Sequence, residues 1–243
     1  MSIGNRYTSP LHAGARFVAQ RGLLKPLVWR LATVTVLGTE RLSGLSGPFV
    51  VVSNHTSHLD APLILGSLPR KLARYVAAGA AADYFFDVWW RRGLTSLFFN
   101  AFPVDRTGLR GRKGMATSLL DDGVPLLLFP EGTRSRTGEM GAFKPGAAAL
   151  CISRDVPCVP VGIVGASEAM PYGKYWPERG RPAIWVMFGE PLRPEDGDGV
   201  AVLGPYREGS QRAVRRGHDL PRRTLVTSRV RLSKEIRWQP LRT

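Results

Sequence analysis

The chain reads as an α/β protein: a single sheet flanked by helices on both faces, with an N-terminal amphipathic helix. Three observations lead there. Short apolar and β-branched runs recur along the chain, as buried strands do. Segments with helical spacing and cap residues separate them, the alternation that places helices on both faces of a sheet. The length, 243 residues of which 44% are hydrophobic, suffices for one such domain with a substantial core.

Taken in order, residues 11–30 mix Leu11, Phe17, Leu23, Leu24, Leu27, Val28 and Trp29 with Arg16, Arg21, Lys25 and Arg30. This is a basic amphipathic helix, suited to a membrane surface or to the flank of the core. Residues 32–37 and 48–52 are β-branched runs around a Gly- and Ser-rich turn, and they predict two strands. The second runs into Ser53, Asn54, His55, Thr56 and Ser57, all cap and turn formers, ahead of a helix over 59–68. Strand–turn–helix steps of this kind are where α/β folds present their chemistry. Beyond it the pattern predicts a strand over 72–78, a helix over 113–122 closed by Gly123, and a strand over 124–129. Pro145 opens a helix ahead of 147–153, and strands follow at 159–164 and 183–188. No internal repeat appears.

Charge and composition narrow the function classes. Lys and Arg number 34 against 19 acids, a net charge of +15, which points to an anionic partner such as nucleic acid, a membrane surface or a phosphorylated substrate. Of that excess, +8 lies in residues 203–243, an Arg-rich tail with scattered Gly and Pro that reads as poorly ordered. Eight of the 22 aromatic residues fall in residues 84–102, around Arg91 and Arg92, a composition suited to a membrane interface or a lipid groove. The two cysteines, Cys151 and Cys158, form neither a disulfide framework nor a zinc knuckle and read as buried thiols. No secretory signal or spanning helix is visible, so the chain is expected in the cytoplasm or lying on a membrane. The expected organisation is a membrane-associating segment over 1–31, a catalytic domain over 32–202 and the basic tail over 203–243.

Four clusters carry chemistry. His55 and Asp60 form an H-x-x-x-x-D spacing in which the carboxylate, in the first helical turn, can fix the imidazole tautomer and leave the other ring nitrogen as a base. With no protein nucleophile nearby, such a pair suits activation of a substrate hydroxyl; as structure alone it would be a capping network. Phe129 to Ser135 deliver Glu131, Gly132, Thr133 and Arg134 at a strand end, a plausible phosphate cradle. Phe102 to Arg106 end in a second guanidinium that could share one phosphate with Arg134. Lys144 precedes the Pro-started helix, where its ammonium and the helix N-terminus add to an anion site. A metal held by His55, His58 and Asp60 is a weak alternative without further ligands, and His58 reads as a surface or supporting residue.

These blocks together resemble the glycerophospholipid acyltransferases, the family of lysophosphatidic acid acyltransferases. Asn54 to Asp60 resemble the first block of that family, Phe102 to Arg106 the second, Phe129 to Ser135 the third and Val159 to Val161 the fourth, in the family's order over residues 35–192. The resemblance implies that His55 is the general base and Asp60 its orienting partner. It implies that Arg106, Glu131, Gly132, Thr133, Arg134 and Lys144 bind the acceptor. The reaction would move an acyl group from acyl-CoA or acyl carrier protein to 1-acyl-glycerol-3-phosphate and make phosphatidic acid, with no metal or bound cofactor. Backbone N–H groups near the pocket would steady the oxyanion. The expected partners are the two lipid substrates, an anionic membrane surface at the cytoplasmic face and, for one class of donor, acyl carrier protein; nucleic acid is not among them. The competing readings are another lysophospholipid or glycolipid acceptor, or a non-catalytic basic protein that binds membranes or nucleic acid, for which no DNA- or RNA-binding motif is present. A hydrolase would need its own nucleophile, and no G-x-S-x-G elbow occurs.

Overall fold

The structure, a computed structural model, describes residues 6–81, 89–104 and 114–194, with side chains at 89–92 left out. Seven strands form one sheet: β1 (Thr33–Leu37), β2 (Val50–Ser53), β3 (Ala77–Ala81), β4 (Phe102–Val104), β5 (Leu126–Leu128), β6 (Cys158–Val164) and β7 (Ala183–Phe188). Their order is β1-β7-β6-β2-β5-β3-β4. The central strands β6, β2, β5, β3 and β4 are parallel, whereas β7 runs antiparallel to β6 and carries β1 beside it.

Burial on both faces explains why β2 and β5 are continuous apolar runs without polar alternation. Val51 joins the core on one face and Val50 and Val52 the core on the other; Leu127 and Leu126 divide the same way. The helices, numbered α1 to α8 in chain order, begin with α1 (Pro10–Phe17) and α2 (Lys25–Leu31). Helix α3 (Asp60–Ser67) and α8 (Ala166–Ala169) help to cover the first face, with α4 (Arg70–Ala73) at its margin; α6 (Gly114–Asp121) and α7 (Gly146–Arg154) cover the second. Helix α5 (Trp89–Phe99) leads into β4.

One expectation changes in detail. The strand expected over 72–78 is instead the turn of α4 followed by β3 at Ala77–Ala81. Pro69 precedes α4 with an extended backbone, and a strand of alanine and glycine carries no β-branched signal to mark its start. Of the aromatic-rich residues 84–102, whose composition suits a membrane interface or a lipid groove, Phe102 is buried and Phe99 packs on the core, while Leu94 and Leu97 are exposed. Residues 82–88, the Arg106 position and the tail from 195 lie outside the described residues.

The N-terminal helix is continuous, with a π-helical stretch, Val18–Leu24, between α1 and α2. Pro26 has no N–H to return to the preceding turn, and the ladder widens just upstream of it. The inner face is polar as well as apolar. Arg21 donates to the carbonyls of Leu65, Gly66 and Leu68 at 3.2, 2.8 and 2.6 Å, and Lys25 to Gly66 at 2.8 Å. Two cations thus satisfy the orphan carbonyls at the C-terminal end of α3, where the helix dipole favours them. The outer face carries Leu11, Val18, Leu23 and Leu27, all exposed. Among the described residues no helix is long and apolar enough to cross a membrane.

Arg21→Ala removes those bonds from a half-exposed site. The expected loss is about 1–3 kcal/mol of unfolding free energy, read by chemical denaturation with unchanged slope.

Candidate active site

The site forms at the C-terminal ends of β2 and β5, which pair from Val50↔Leu126 to Val52↔Leu128. The chain leaves β2 toward one side of the sheet, to β3, and later crosses from β5 to β6 on the other side of β2. Open α/β sheets place their ligand crevices where the connections diverge in this way. Loops that lie 76 residues apart in sequence, at His55 and Glu131, are neighbours here.

The loop after β2 is tied at nearly every polar atom. Asn54 extends the pairing with β6 by its side chain: its Nδ2 donates to the Ile163 carbonyl and its Oδ1 accepts from the Ile163 N–H, each at 2.9 Å. Ser57 Oγ donates to the Met170 carbonyl at 3.0 Å. Asp60 is fully buried at the start of α3. Its Oδ2 accepts from the Thr56 and Ser57 N–H groups at 2.7 and 2.8 Å and meets His55 Nδ1 at 2.9 Å. A carboxylate can only accept, so Nδ1 carries the proton and Nε2 keeps its lone pair. The imidazole also stacks on Phe129, with centroids 4.1 Å apart and planes at 18°. Ring tautomer and ring plane are therefore both set by the protein.

Glu131, which the resemblance assigned to acceptor binding, is buried and tied to the backbone. Its Oε1 accepts from the His55 N–H at 2.7 Å and its Oε2 from the Gly141 N–H at 2.8 Å. With both oxygens engaged by backbone, Glu131 holds two loops together. His55 is pinned from its other side as well, for its carbonyl accepts from the Ser135 N–H at 2.8 Å. The amides of His55, Thr56 and Ser57 already donate to carboxylates and are committed to the scaffold.

Cations gather beside this loop. Gly132 has φ +73°, and a Cβ there would stand 2.8 Å from Lys144 Nζ; glycine lets the ammonium lie against the backbone. Lys144 is itself anchored by its N–H to the Pro130 carbonyl at 2.9 Å and precedes α7 by one residue, Pro145. The Arg134 guanidinium lies 4.5 Å from the Tyr172 ring centroid, and that of Arg136 lies 5.6 Å from it. Arg134 Nη1 is buried without a hydrogen-bond partner in the protein. Thr133 is exposed. His58 stands on the exposed rim. Partial burial of its ring, then the nearby Arg134 guanidinium, lowers its pKa to about 4, so it adds no charge at neutral pH. The two acids here, Asp60 and Glu131, are turned onto donors, and the field facing outward is positive. Among the described residues no group of three or more His, Cys, Asp and Glu is placed to hold a metal ion.

The blocks read from the sequence take in Asn54 and Ser135 but not the bonds they make, and Gly141 and Tyr172 are site residues that sequence reasoning did not single out. The first three act through backbone or side-chain amide groups, which leave no compositional signal. Tyr172 arrives from a loop whose position depends on the whole sheet.

Comparison with known proteins agrees in several ways. A family profile described as Acyltransferase matches residues 33–164. A 1-acyl-sn-glycerol-3-phosphate acyltransferase of Chlamydomonas reinhardtii is 33% identical over 58% of this chain and 41% of its own length. A chloroplastic one of Brassica napus is 31% identical over 57% of this chain and 39% of its own. The chain thus spans about two fifths of the length of these relatives. The crystal structure of the 1-acyl-sn-glycerophosphate acyltransferase PlsC from Thermotoga maritima superposes with a TM-score of 0.64 at 25% identity, covering 81% of this chain and 80% of that one.

Glu131→Gln keeps the shape but sets an amide NH₂ against one of two N–H groups. The expected result is a loss of about 1–3 kcal/mol together with faster hydrogen exchange at the His55 amide than at the Ile163 amide.

Proposed function

Because the chain belongs to the acyltransferase family, we propose that it moves a fatty acyl group from an acyl thioester to the free hydroxyl of 1-acyl-glycerol-3-phosphate, making phosphatidic acid. The observation that carries this reading is the His55–Asp60 pair: a base with a set tautomer that, among the described residues, makes no hydrogen bond to a hydroxyl or thiol, the Ser57 hydroxyl being committed to the Met170 carbonyl. The nucleophile is then the substrate's own oxygen.

In this mechanism His55 Nε2 takes the proton as the acceptor hydroxyl attacks the thioester carbonyl. Asp60, against Nδ1, steadies the imidazolium that forms. Collapse of the tetrahedral intermediate forms the ester, breaks the C–S bond and returns the proton to the departing thiolate, so base and protein are unchanged at the end. The acceptor phosphate lies against Arg134 and Lys144, with Arg106 joining them and Gly132 and Thr133 lining the approach. The unpaired, buried Nη1 of Arg134 supports this assignment, because buried guanidinium N–H groups are costly without an acceptor. The donor is the thioester of coenzyme A or of acyl carrier protein, and the chemistry calls for no resident cofactor.

The reading includes a peripheral site of action at the cytoplasmic face of a membrane. The exposed Leu11, Val18, Leu23 and Leu27 of the N-terminal helix and Leu94 and Leu97 of α5 support it, as does the net charge of +15, which favours anionic lipid.

Mass-spectrometric assay of lysophosphatidic acid with acyl-CoA and acyl carrier protein donors tests the reaction. His55→Ala is expected to lower the rate by about 10²–10⁴-fold, and equal rates in both proteins would overturn the base assignment. Arg134→Ala is expected to raise the KM for lysophosphatidic acid by about 10- to 100-fold, the worth of one or two charged hydrogen bonds, with little change in the KM for the acyl donor. If wild type turns over other lysophospholipids and not this one, the acceptor assignment fails while the chemistry stands.

A further inference from the structure

The segment between α8 and β7, residues 171–182, holds the two most exposed large aromatic side chains that the structure describes. Tyr175 is 81% and Trp176 is 68% exposed. Lys174, Arg179 and Arg181 flank them with one acid, Glu178, which lies 3.8 Å from Lys174 Nζ at the surface. The base of the segment is fixed. The Lys174 N–H donates to the Pro171 carbonyl at 3.1 Å, the Glu178 N–H to the Ala169 carbonyl at 2.7 Å, and the Thr33 N–H to the Pro182 carbonyl at 2.9 Å. Tyrosine and tryptophan held out from such a base are not covered by any part of the described core.

Where the segment begins and ends is informative. At one end Tyr172 stacks against Arg134 in the site. At the other Arg181 donates to the Trp29 carbonyl of α2 at 3.2 Å, and α2 is the helix that exposes Leu27. The aromatic tip therefore belongs to a loop whose one end touches the cation cluster that would receive a lipid phosphate and whose other end touches the apolar helix proposed to meet the bilayer.

We propose that residues 171–182 are a second membrane-docking element, in which Tyr175 and Trp176 enter the headgroup region of a bilayer containing anionic lipid while Lys174, Arg179 and Arg181 meet its phosphates. Amphipathic aromatic rings settle at that depth, and basic residues beside them gain from the negative surface. The inference rests on the membrane reading above and goes beyond it: the site mouth is docked from two sides, the N-terminal helix and this loop. An acidic carrier protein is the competing occupant, but a carrier would be met by the cations and would leave the two aromatic rings without a role.

The test is flotation of the full chain with vesicles of phosphatidylcholine, alone or mixed with phosphatidylglycerol. The double variant Tyr175→Ala/Trp176→Ala is compared with wild type and with Leu23→Ser/Leu27→Ser. Both aromatic positions are exposed, so a thermal melt equal to wild type is expected and excludes misfolding. Support is a fall of about tenfold or more in the anionic-vesicle partition coefficient of the aromatic variant, with turnover of a short-chain, water-soluble lysophosphatidic acid unchanged. Wild-type partitioning by the aromatic variant, with loss in the leucine variant, would overturn this inference and leave the helix reading intact. Wild type that fails to float would overturn both. Unchanged flotation with a raised KM for acyl carrier protein donors alone would make the loop a carrier-docking surface and overturn the membrane assignment.

Discussion

A single buried carboxylate organises the working end of this molecule. Asp60 is fully buried, a position that costs several kcal/mol for a charge without partners. It is stabilised by the first turn of α3 and by three donors converging on Oδ2: two backbone amides and the His55 ring. Those bonds curl residues 55–57 around the carboxylate, which dictates where His55 stands and which nitrogen faces outward. The turn can form only because β2 is sandwiched in the centre of the sheet, so that its end is fixed in space. Asn54 and Glu131 then fasten the curl to β6 and to the loop after β5.

The sheet supplies the geometry by adjacency. His55 and Glu131 are far apart in sequence, yet each follows a strand directly, and the two strands are hydrogen-bonded neighbours. The two loops therefore meet by strand pairing alone, and α3, which follows the first of them, adds Asp60 to the same site.

Much of this was legible in the chain itself, and the reasons differ by element. The strands at 33–37, 158–164 and 183–188 carry β-branched and apolar runs long enough to be read within a residue or so. The helix closed by Gly123 and the one preceded by Pro145 carry terminal signals. The His55–Asp60 pairing followed from a spacing of five residues across the turn between β2 and α3. Strand β3, Ala77–Ala81, had no such signal, since alanine is at home in either state, and its place is dictated by pairing with β5 and β4. Glu131 was legible as a site residue, but its tie to the scaffold was not: only the fold reveals that its two oxygens accept from the amides of His55 and Gly141. Tyr172 had no local signature at all; its stacking on Arg134 comes from the antiparallel return of β7.

The Glu131 bridge has an evolutionary consequence. It separates the residues of the third block into those bound to the scaffold and those free to change. A change at Glu131 loosens the loop that holds the His55 imidazole, because its carboxylate ties that loop to Gly141. Thr133 and Lys144 are exposed, and Tyr172 is nearly half exposed. Variation at those three positions changes the rim of the site and leaves the His55–Asp60 hydrogen bond untouched.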